Sequence, residues 1–320
     1  MANNTNTTIN TQGTTFLNKT YYDRNLLENA KTKFVHALYG QKRNIPKNSG
    51  KRVEFRRWTA FDPAVAAVAL TEGVTPNGQS LRQSHVEAVI EQYGVFVEVS
   101  DMLKTTSFDD VVEGSTDLLG EQLGTAIEWI TRDAMALTTS VQFANGKTAR
   151  NALTAADKLT TTEVRKAVRT LKKAKARMFT RQGGKPHFIC IVSPDAVFDL
   201  QDDPLWQDVS KYSAAEQIYT GELGRLFGVV FVESTEAKVY EGAGSGDVDV
   251  HAALIFGADA YGIIDIEGSG AMHTILKKPG SAGTADPLDQ RATVGAKVDG
   301  YAVAILNNDW IIAIEHGVTA

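Results

Sequence analysis

The feature that most constrains the fold is a long helical pattern of apolar residues across positions 107–143. Its apolar positions recur every three or four residues, and they are Val111, Leu118, Leu119, Leu123, Ile127, Ile130, Ala134 and Leu137. Ser107, with two aspartates in the turn that follows, predicts the N-cap. Roughly 35 residues at about 1.5 Å each predict a helix of about 50 Å. Gly114, Gly120 and Gly124 argue against its continuity.

After this helix the chain alternates between helical and strand patterns, which predicts an α+β class. A capping box of Thr160 and Glu163 begins a second helix with an apolar face of Val164, Val168, Leu171 and Met178. Ser193 followed by Pro194 begins a third helix, which ends near residue 203. A second capping box, Ser213 with Glu216, predicts a short helix. Strands are predicted at 187–192, 229–233, 252–256, 262–266, 273–277, 294–306 and 310–315. Residues 307–309, Asn-Asn-Asp, predict a hairpin turn between the last two strands.

The opposite face of the second helix is basic. It carries Arg165, Lys166, Arg169, Lys172, Lys173, Lys175 and Arg177. A solvated helix surface explains such a face, and so does a surface that meets a partner or DNA.

The N-terminal part of the sequence predicts a tail, a basic segment and an arm. Residues 1–15 are nearly all polar and are expected to be disordered alone, whereas 26–38 predict a short helix. Residues 51–58 alternate charge with Val53 and Phe55, which predicts a strand, and its partner is predicted at 87–100. The long connection between the two predicts a protruding two-stranded arm that needs a surface to lie on.

The charge is uneven along a chain whose net charge is −5. Residues 31–57 hold nine Lys or Arg against one acid, Glu54, whereas later loops are acidic. This asymmetry suits head-to-tail contacts between copies of the chain at least as well as contact with phosphate. The single cysteine, Cys190, lies in an apolar run and is expected to be a buried hydrophobe. The sequence predicts a soluble protein of a reducing compartment, with no signal peptide and no membrane span.

The motifs of common catalytic and cofactor sites are absent from the sequence. The six histidines stand far apart without HExxH or CxxC, and the glycine-rich segment 242–247 lacks the Lys-Ser/Thr of a phosphate loop. The acidic pairs at 202–203 and at Asp286 with Asp289 fit ordinary turn chemistry. We therefore expect no catalytic residue, no metal and no cofactor.

Four stretches, in order, resemble the N4-like phage capsid family. They are SPDAVFDLQDD (193–203), GELGRLFG (221–228), FGADAYG (256–262) and DPLDQRATVG (286–295). The order of tail, arm, long helix, α+β block and long C-terminal strands is similar to the Hong Kong 97-type major capsid protein of tailed phages. The resemblance covers roughly residue 15 to the end.

This resemblance implies a domain plan and a function. Residues 1–50 would be an N-terminal arm, 51–100 an extended loop, 101–184 with 266–320 a peripheral domain, and 185–265 an axial domain. The protein would be made in the host cytoplasm and assemble with itself, as hexamers and pentamers, into the icosahedral shell of the virion. Scaffolding, portal and decoration proteins and non-specifically held packaged DNA would be further partners, and no membrane would be.

Seven charged residues are predicted to make contacts between subunits. They are Lys51, Arg52, Arg56, Arg57, Asp286, Asp289 and Arg291. Arg291 with Asp286 or Asp289 is expected to form a structural or intersubunit lock at the entrance to a C-terminal strand. Two alternatives stay open: an encapsulin-like nanocompartment shell of the same fold, and an α+β enzyme built on the 286–291 segment with Gln290.

Overall fold

The structure, a computed structural model, describes residues 34–46, 50–58, 61, 72–75, 78, 80–106, 111–180, 185–207, 222–266, 272–281 and 286–319. The predicted polar tail and the short helix predicted from Ser213 lie outside these residues. Of the helix predicted at 26–38, only the last five residues are described, and they contain a single 3-10 turn, His36–Leu38.

Four α-helices are described: α1 (Asp101–Thr106), α2 (Val111–Ala136), α3 (Thr161–Lys173) and α4 (Pro194–Gln201). The long predicted helix is α2, which continues through all three of its glycines. It ends at Ala136 rather than at 143, because residues 141–143 form a strand that pairs with another strand distant in sequence. The predicted cap at Ser107 lies outside the described residues. Thr160 and Ser193 cap α3 and α4 as predicted, since each side chain accepts a backbone N–H bond.

A five-stranded sheet packs against α2. It contains β1 (Gln41–Ile45), β4 (Glu91–Ser100), β11 (Tyr261–Ile266), β12 (His273–Lys277) and β13 (Arg291–Ile305). The long strand β13 pairs antiparallel with β4, β11 and β12, and β1 is parallel to β11. Alternate residues of β13 are buried, so one face of the strand lies against the apolar side of α2.

A seven-stranded sheet forms the other half of the molecule. Its strands are β5 (Val141–Phe143), β6 (Phe188–Val192), β7 (Glu222–Leu226), β8 (Val229–Glu233), β9 (Lys238–Tyr240), β10 (Val250–Phe256) and β14 (Ile311–His316). β6, β10 and β14 are buried along their whole length because both faces of the sheet are covered. Cys190 belongs to the core under α3 and α4, and its neighbours Ile189 and Ile191 belong to the core shared with α2. The predicted burial of Cys190 is confirmed.

The hairpin predicted around residues 307–309 is wrong. β13 and β14 lie in different sheets, and the segment between them is a crossover with a 3-10 turn, Asn308–Trp310. The side chain of Asn308 binds the chain after α2 instead, where its Oδ1 accepts from the backbone N of Thr139 at 2.9 Å. β14 is instead buried along its whole length between β5 and β10 of the seven-stranded sheet.

The arm is a two-stranded sheet of β2 (Arg52–Trp58) and β3 (Gln83–Val89). The single partner strand predicted at 87–100 is wrong, because the chain turns at buried Ile90 and continues as β4 beside β13. The base of the arm rests on the five-stranded sheet, where Val53 and Phe55 pack with Ile264 and Ala302. Gly262 permits this approach, since a Cβ there would lie 2.9 Å from Cζ of Phe55.

The sheets cross the domain bounds that the resemblance implied. β11 begins within the predicted axial segment but lies in the five-stranded sheet with β13. β14 falls in the predicted peripheral segment but lies in the seven-stranded sheet beside β10. No helix of the described residues combines the length and apolar character that crossing a membrane requires.

Candidate intersubunit surfaces

The outer face of the β2–β3 hairpin is exposed and partly apolar. Trp58 is 64% exposed and Val89 is 52% exposed, and both point away from the face that carries Val53 and Phe55. Phe61, beyond the end of β2, is also exposed. Large exposed apolar side chains on a two-stranded arm are typical of a surface that another chain covers.

The four basic residues predicted for intersubunit contacts lie on or beside this hairpin, and all are exposed. Arg56 Nη2 lies 2.7 Å from Glu54 Oε2, and this bond lowers the pKa of Glu54. Arg52 Nη1 lies 3.7 Å from Glu87 Oε2, and Arg57 Nε donates to Ser84 Oγ at 3.3 Å. Two of the four therefore have ion-pair partners within their own hairpin, and exposed pairs of this kind exchange partners at little cost.

A groove separates the hairpin from the edge of the five-stranded sheet. Its volume is ≈ 620 Å³, and its lining includes Arg43, Asn44, Phe55, Arg57 and Asp259. The groove contains both charges and apolar carbon, which suits a segment of protein chain better than a small apolar molecule.

The 286–291 segment fixes the start of β13. Buried Asp286 accepts the backbone N–H of Arg291 at 2.8 Å, and Arg291 Nε lies 3.9 Å from the same carboxylate. Arg291 also reaches Glu98 of β4 at 3.9 Å, while the carbonyl of Gln290 accepts from the backbone N of Asp101. Asp289 stands outside this pairing, with a positive φ of 54°. The geometry is that of a structural connector, since the buried carboxylate is already occupied by backbone.

A buried anchor that the sequence did not predict ties residues 34–38 to α2. Glu128 Oε1 accepts the backbone N–H of Val35 at 2.8 Å and of His36 at 2.6 Å, and it also lies 2.6 Å from His36 Nδ1. Both Glu128 and His36 are fully buried, and the hydroxyl of Tyr261 donates to the carbonyl of His36. The one signal for this anchor in the sequence was an acidic residue, Glu128, on the face of α2 that is buried.

A second buried carboxylate lies at the end of β14. Glu315 is 1% exposed and accepts two bonds from Arg150, at 2.8 Å from Nε and 2.6 Å from Nη2. The Arg150 guanidinium also lies 3.5 Å from the ring centroid of Tyr240. This pair joins the loop after β5 to β14 and to β9.

Two histidines lie side by side next to this pair. His316 is fully buried and its Nδ1 is 2.9 Å from the carbonyl of Gly317, while His251 Nδ1 lies 2.9 Å from Ser193 Oγ. Burial lowers the pKa of His316 to about 4 and also lowers the pKa of His251. The Ser193–His251 contact resembles a catalytic dyad, but Ser193 Oγ also caps α4, so a helix cap explains it.

We expect acid to destabilise the seven-stranded sheet through His316. Its pKa falls from 6.5 to about 4 on folding, so the unfolded chain binds the proton more readily. The free energy of unfolding that depends on neutral His316 is complete above pH 6.5. It falls by about 3 kcal/mol as the pH falls towards 4. Urea unfolding at stepped pH would show a flatter dependence for His316→Gln. An unchanged pH slope in that variant would contradict the assignment.

Within the described ranges, no group of three or more His, Cys, Asp or Glu side chains is arranged to hold a metal ion. Five of the seven residues of the predicted basic face lie on α3, whereas Lys175 and Arg177 follow its end at Lys173. Two cations of the predicted basic set have partners, since Lys166 pairs with Glu163 at 2.7 Å and Arg177 pairs with Asp259 at 2.9 Å.

Comparisons with known proteins agree on the family and the fold. Residues 131–303 match the model of a family described as phage capsid protein. The capsid of Ralstonia phage GP4 is 14% identical, with 89% of each chain covered and a TM-score of 0.68. The capsid of the cyanophage P-SCSP1u is 13% identical over 89% of this chain and 88% of that one, with a TM-score of 0.65.

A third likeness is to the holo-SrpI encapsulin complex from Synechococcus elongatus. It is 8% identical over 90% of this chain and 89% of that one, with a TM-score of 0.57. A search of curated proteins found no match. The structural likenesses confirm the predicted α+β, Hong Kong 97-type capsid fold.

Proposed function

Because the chain belongs to the phage capsid protein family, we propose that its copies close into an icosahedral head as hexamers and pentamers. It is a major capsid protein of a tailed-phage head, a structural component of the virion and not an enzyme. The observation that carries the proposal is the β2–β3 hairpin, whose exposed Trp58 and Val89 have no cover within the described part of the chain. A neighbouring subunit would cover them in an obligate interface of about 2,000 Å² or more.

We propose that the working units of the subunit follow the two sheets. The peripheral unit then contains α2 and the five-stranded sheet, and the axial unit contains α3, α4 and the seven-stranded sheet. β11 moves to the peripheral unit and β14 to the axial unit, relative to the bounds 185–265 and 266–320. The N-terminal arm and the extended loop keep their roles, but β1 and β4 at their ends join the peripheral sheet.

The finer family assignment and the further partners are also proposals. The four ordered sequence stretches support membership of the N4-like branch, and 193–203 contains the capped start of α4. The exposure of Lys51, Arg52, Arg56 and Arg57 supports the proposal that they form ion pairs with a neighbour. Exposed Asp289 and half-exposed Arg291 are proposed for a second contact. Scaffolding, portal and decoration proteins, and packaged DNA held non-specifically, complete the proposed partners.

An encapsulin-like shell is the second candidate, and the likeness to an encapsulin complex is the observation that supports it. The two candidates differ in what the shell contains. Particles purified from the native source after nuclease treatment would hold protected DNA if the chain builds a phage head. Particles that hold a cargo enzyme and no DNA would favour the second candidate.

Removing the far end of the arm is expected to abolish shells without unfolding the subunit. In the variant, an Asn-Gly turn replaces residues 59–82. It connects Trp58 to Gln83, which form the last pair of the β2–β3 ladder. Val53 and Phe55 keep their contacts, so the unfolding midpoint should stay unchanged. Negative-stain imaging would then show no closed shells where the unaltered chain forms them.

An equally long Gly-Ser segment in place of residues 59–82 is the matched control. It restores the length of the connection but none of its side chains, and we expect it to fail as well. Closed shells from the Asn-Gly variant would overturn the assignment of residues 59–82 as an assembly element. Shells from the Gly-Ser variant alone would show that length is sufficient.

A further inference from the structure

One depression on the axial unit is lined by four cations. Arg165, Arg169, Lys172 and Lys173 of α3 surround it together with Val168 and Phe227, and its volume is ≈ 500 Å³. Among the described residues, no carboxylate lies within ion-pair distance of these four cations, in contrast to neighbouring Lys166. We call this set the basic depression. Four like charges on one helix face repel each other, so an anionic partner would stabilise the surface.

Phe227 adds an exposed aromatic ring to the basic depression. It lies in the two-residue turn between β7 and β8, where Phe227 has φ 52° and Gly228 has φ 80°. Turns of this kind favour Asn or Asp before Gly, and a bulky side chain at such a φ angle is strained. The ring is 39% exposed and the Arg165 guanidinium lies 5.3 Å from its centroid. An aromatic ring beside arginine is typical of the core of a protein interface.

The connection between β9 and β10 supplies the complementary charge. Glu241, Asp247 and Asp249 are exposed, and among the described residues no cation pairs with them. The connection is nevertheless ordered: Gly242 N donates to Asp249 Oδ1 at 2.7 Å, and Ser245 N donates to the carbonyl of Leu153 at 2.7 Å. We call residues 241–249 the acidic loop. It presents three carboxylates from a fixed backbone.

The two surfaces lie at opposite ends of the seven-stranded sheet. Phe227 precedes the start of β8, which is level with the start of β6 and hence with the end of β10 at Phe256. The acidic loop ends where β10 begins, at Val250. They are separated by the length of β10, roughly 20 Å. At that distance salt largely screens the attraction between exposed charges. They therefore do not neutralise each other within one chain.

We propose that the basic depression of one subunit receives the acidic loop of a neighbouring copy. This contact rests on the proposed self-assembly and names the surfaces that join axial units within a capsomer. It is head to tail, because each copy contributes a different surface to each of its two neighbours, and such contacts close into rings when the rotation allows. Opposite charges would set the register of the ring and exclude the reversed orientation.

The test exchanges the two charges within the full chain. Arg165→Glu with Arg169→Glu makes the depression acidic, and Glu241→Lys with Asp247→Lys makes the loop basic. We expect each double variant to yield closed shells roughly ten-fold less often than the unaltered chain, since like charges then meet at every contact. The variant that carries all four substitutions should recover shell formation, which also shows that the altered surfaces still fold. Lys277→Glu with Lys278→Glu, at the exposed last residue of β12 and the residue after it, controls for charge reversal as such.

Three results would overturn the inference. If the depression binds DNA instead, the loop variant assembles normally and the four-substitution variant stays defective in DNA retention. If all variants form shells as the unaltered chain does, the contact is absent although the proposed function stands. If the unaltered chain forms no shells under any condition, including added scaffolding protein, the proposed function and the contact fail together.

Discussion

Replacing Arg150 by methionine is expected to lower the free energy of unfolding by about 3 kcal/mol. The variant leaves Glu315, which is 1% exposed, without either of its two guanidinium bonds and too deeply buried to be hydrated in full. The Arg150 side chain is itself 39% exposed, so water can enter and the loss stays at the lower end of the range for buried pairs. Urea unfolding of the unassembled subunit at neutral pH measures it.

Two matched variants separate this effect from a general loss of arginine. Arg52→Met breaks the exposed pair with Glu87 and should change the free energy of unfolding by less than about 0.5 kcal/mol. Arg150→Met combined with Glu315→Gln removes the unpaired charge and should regain part of the loss. If the single and the combined variants are equally destabilised, the lost packing on Tyr240 carries the effect rather than the buried charge.

The elements whose signals are local could be predicted from the sequence. The cap of Ser193 and the proline after it determine where α4 begins, and both act within one turn. The apolar spacing of α2 was sufficient to predict a helix, although its end was not, because residues 141–143 are drawn into a strand by β14. Pairing partners so distant in the chain leave no local pattern.

Strand pairing explains the two wrong predictions. Two apolar strands separated by Asn-Asn-Asp have the local pattern of a hairpin. In the structure, however, β13 and β14 pair with other strands in separate sheets. Likewise 87–100 has an unbroken strand pattern, and only the position of β13 decides that the chain turns at Ile90. Local propensity sets the strand, and burial against distant elements sets its partner.

The candidate surfaces were predicted unevenly for the same reason. The sequence identified the basic face of α3 and the charged arm, because charge spacing on one element can be read directly. The sequence could not predict that the acidic loop and Phe227 lie at opposite ends of one sheet, because their positions depend on the register of β6, β8 and β10. It also did not predict the Glu128 anchor, whose hydrogen-bond partner His36 lies 92 residues away.

Replacing Glu128 by alanine is expected to detach residues 34–38 from α2. The variant removes the carboxylate oxygen that accepts the backbone N–H groups of Val35 and His36 and that lies beside His36 Nδ1. If the segment stayed in its site, these groups would be buried without a partner. Leaving these groups buried would cost about 3 kcal/mol or more, so the segment should leave its site and expose them to water. Hydrogen exchange of the amides of Val35 and His36 should then accelerate by at least roughly a hundred-fold.

Gln122→Ala, on the exposed side of the same helix, is the control and should leave this exchange unchanged. Glu128→Gln keeps one acceptor oxygen but turns an NH₂ group towards N–H donors, so an intermediate rate is expected. Protection in Glu128→Ala equal to that of the unaltered chain would mean that Tyr261 and the apolar contacts hold the segment alone. If the segment detaches, residues 34–38 are no longer tied to α2. The proposed N-terminal arm precedes this segment, so detachment should reduce shell yield without unfolding the two sheets.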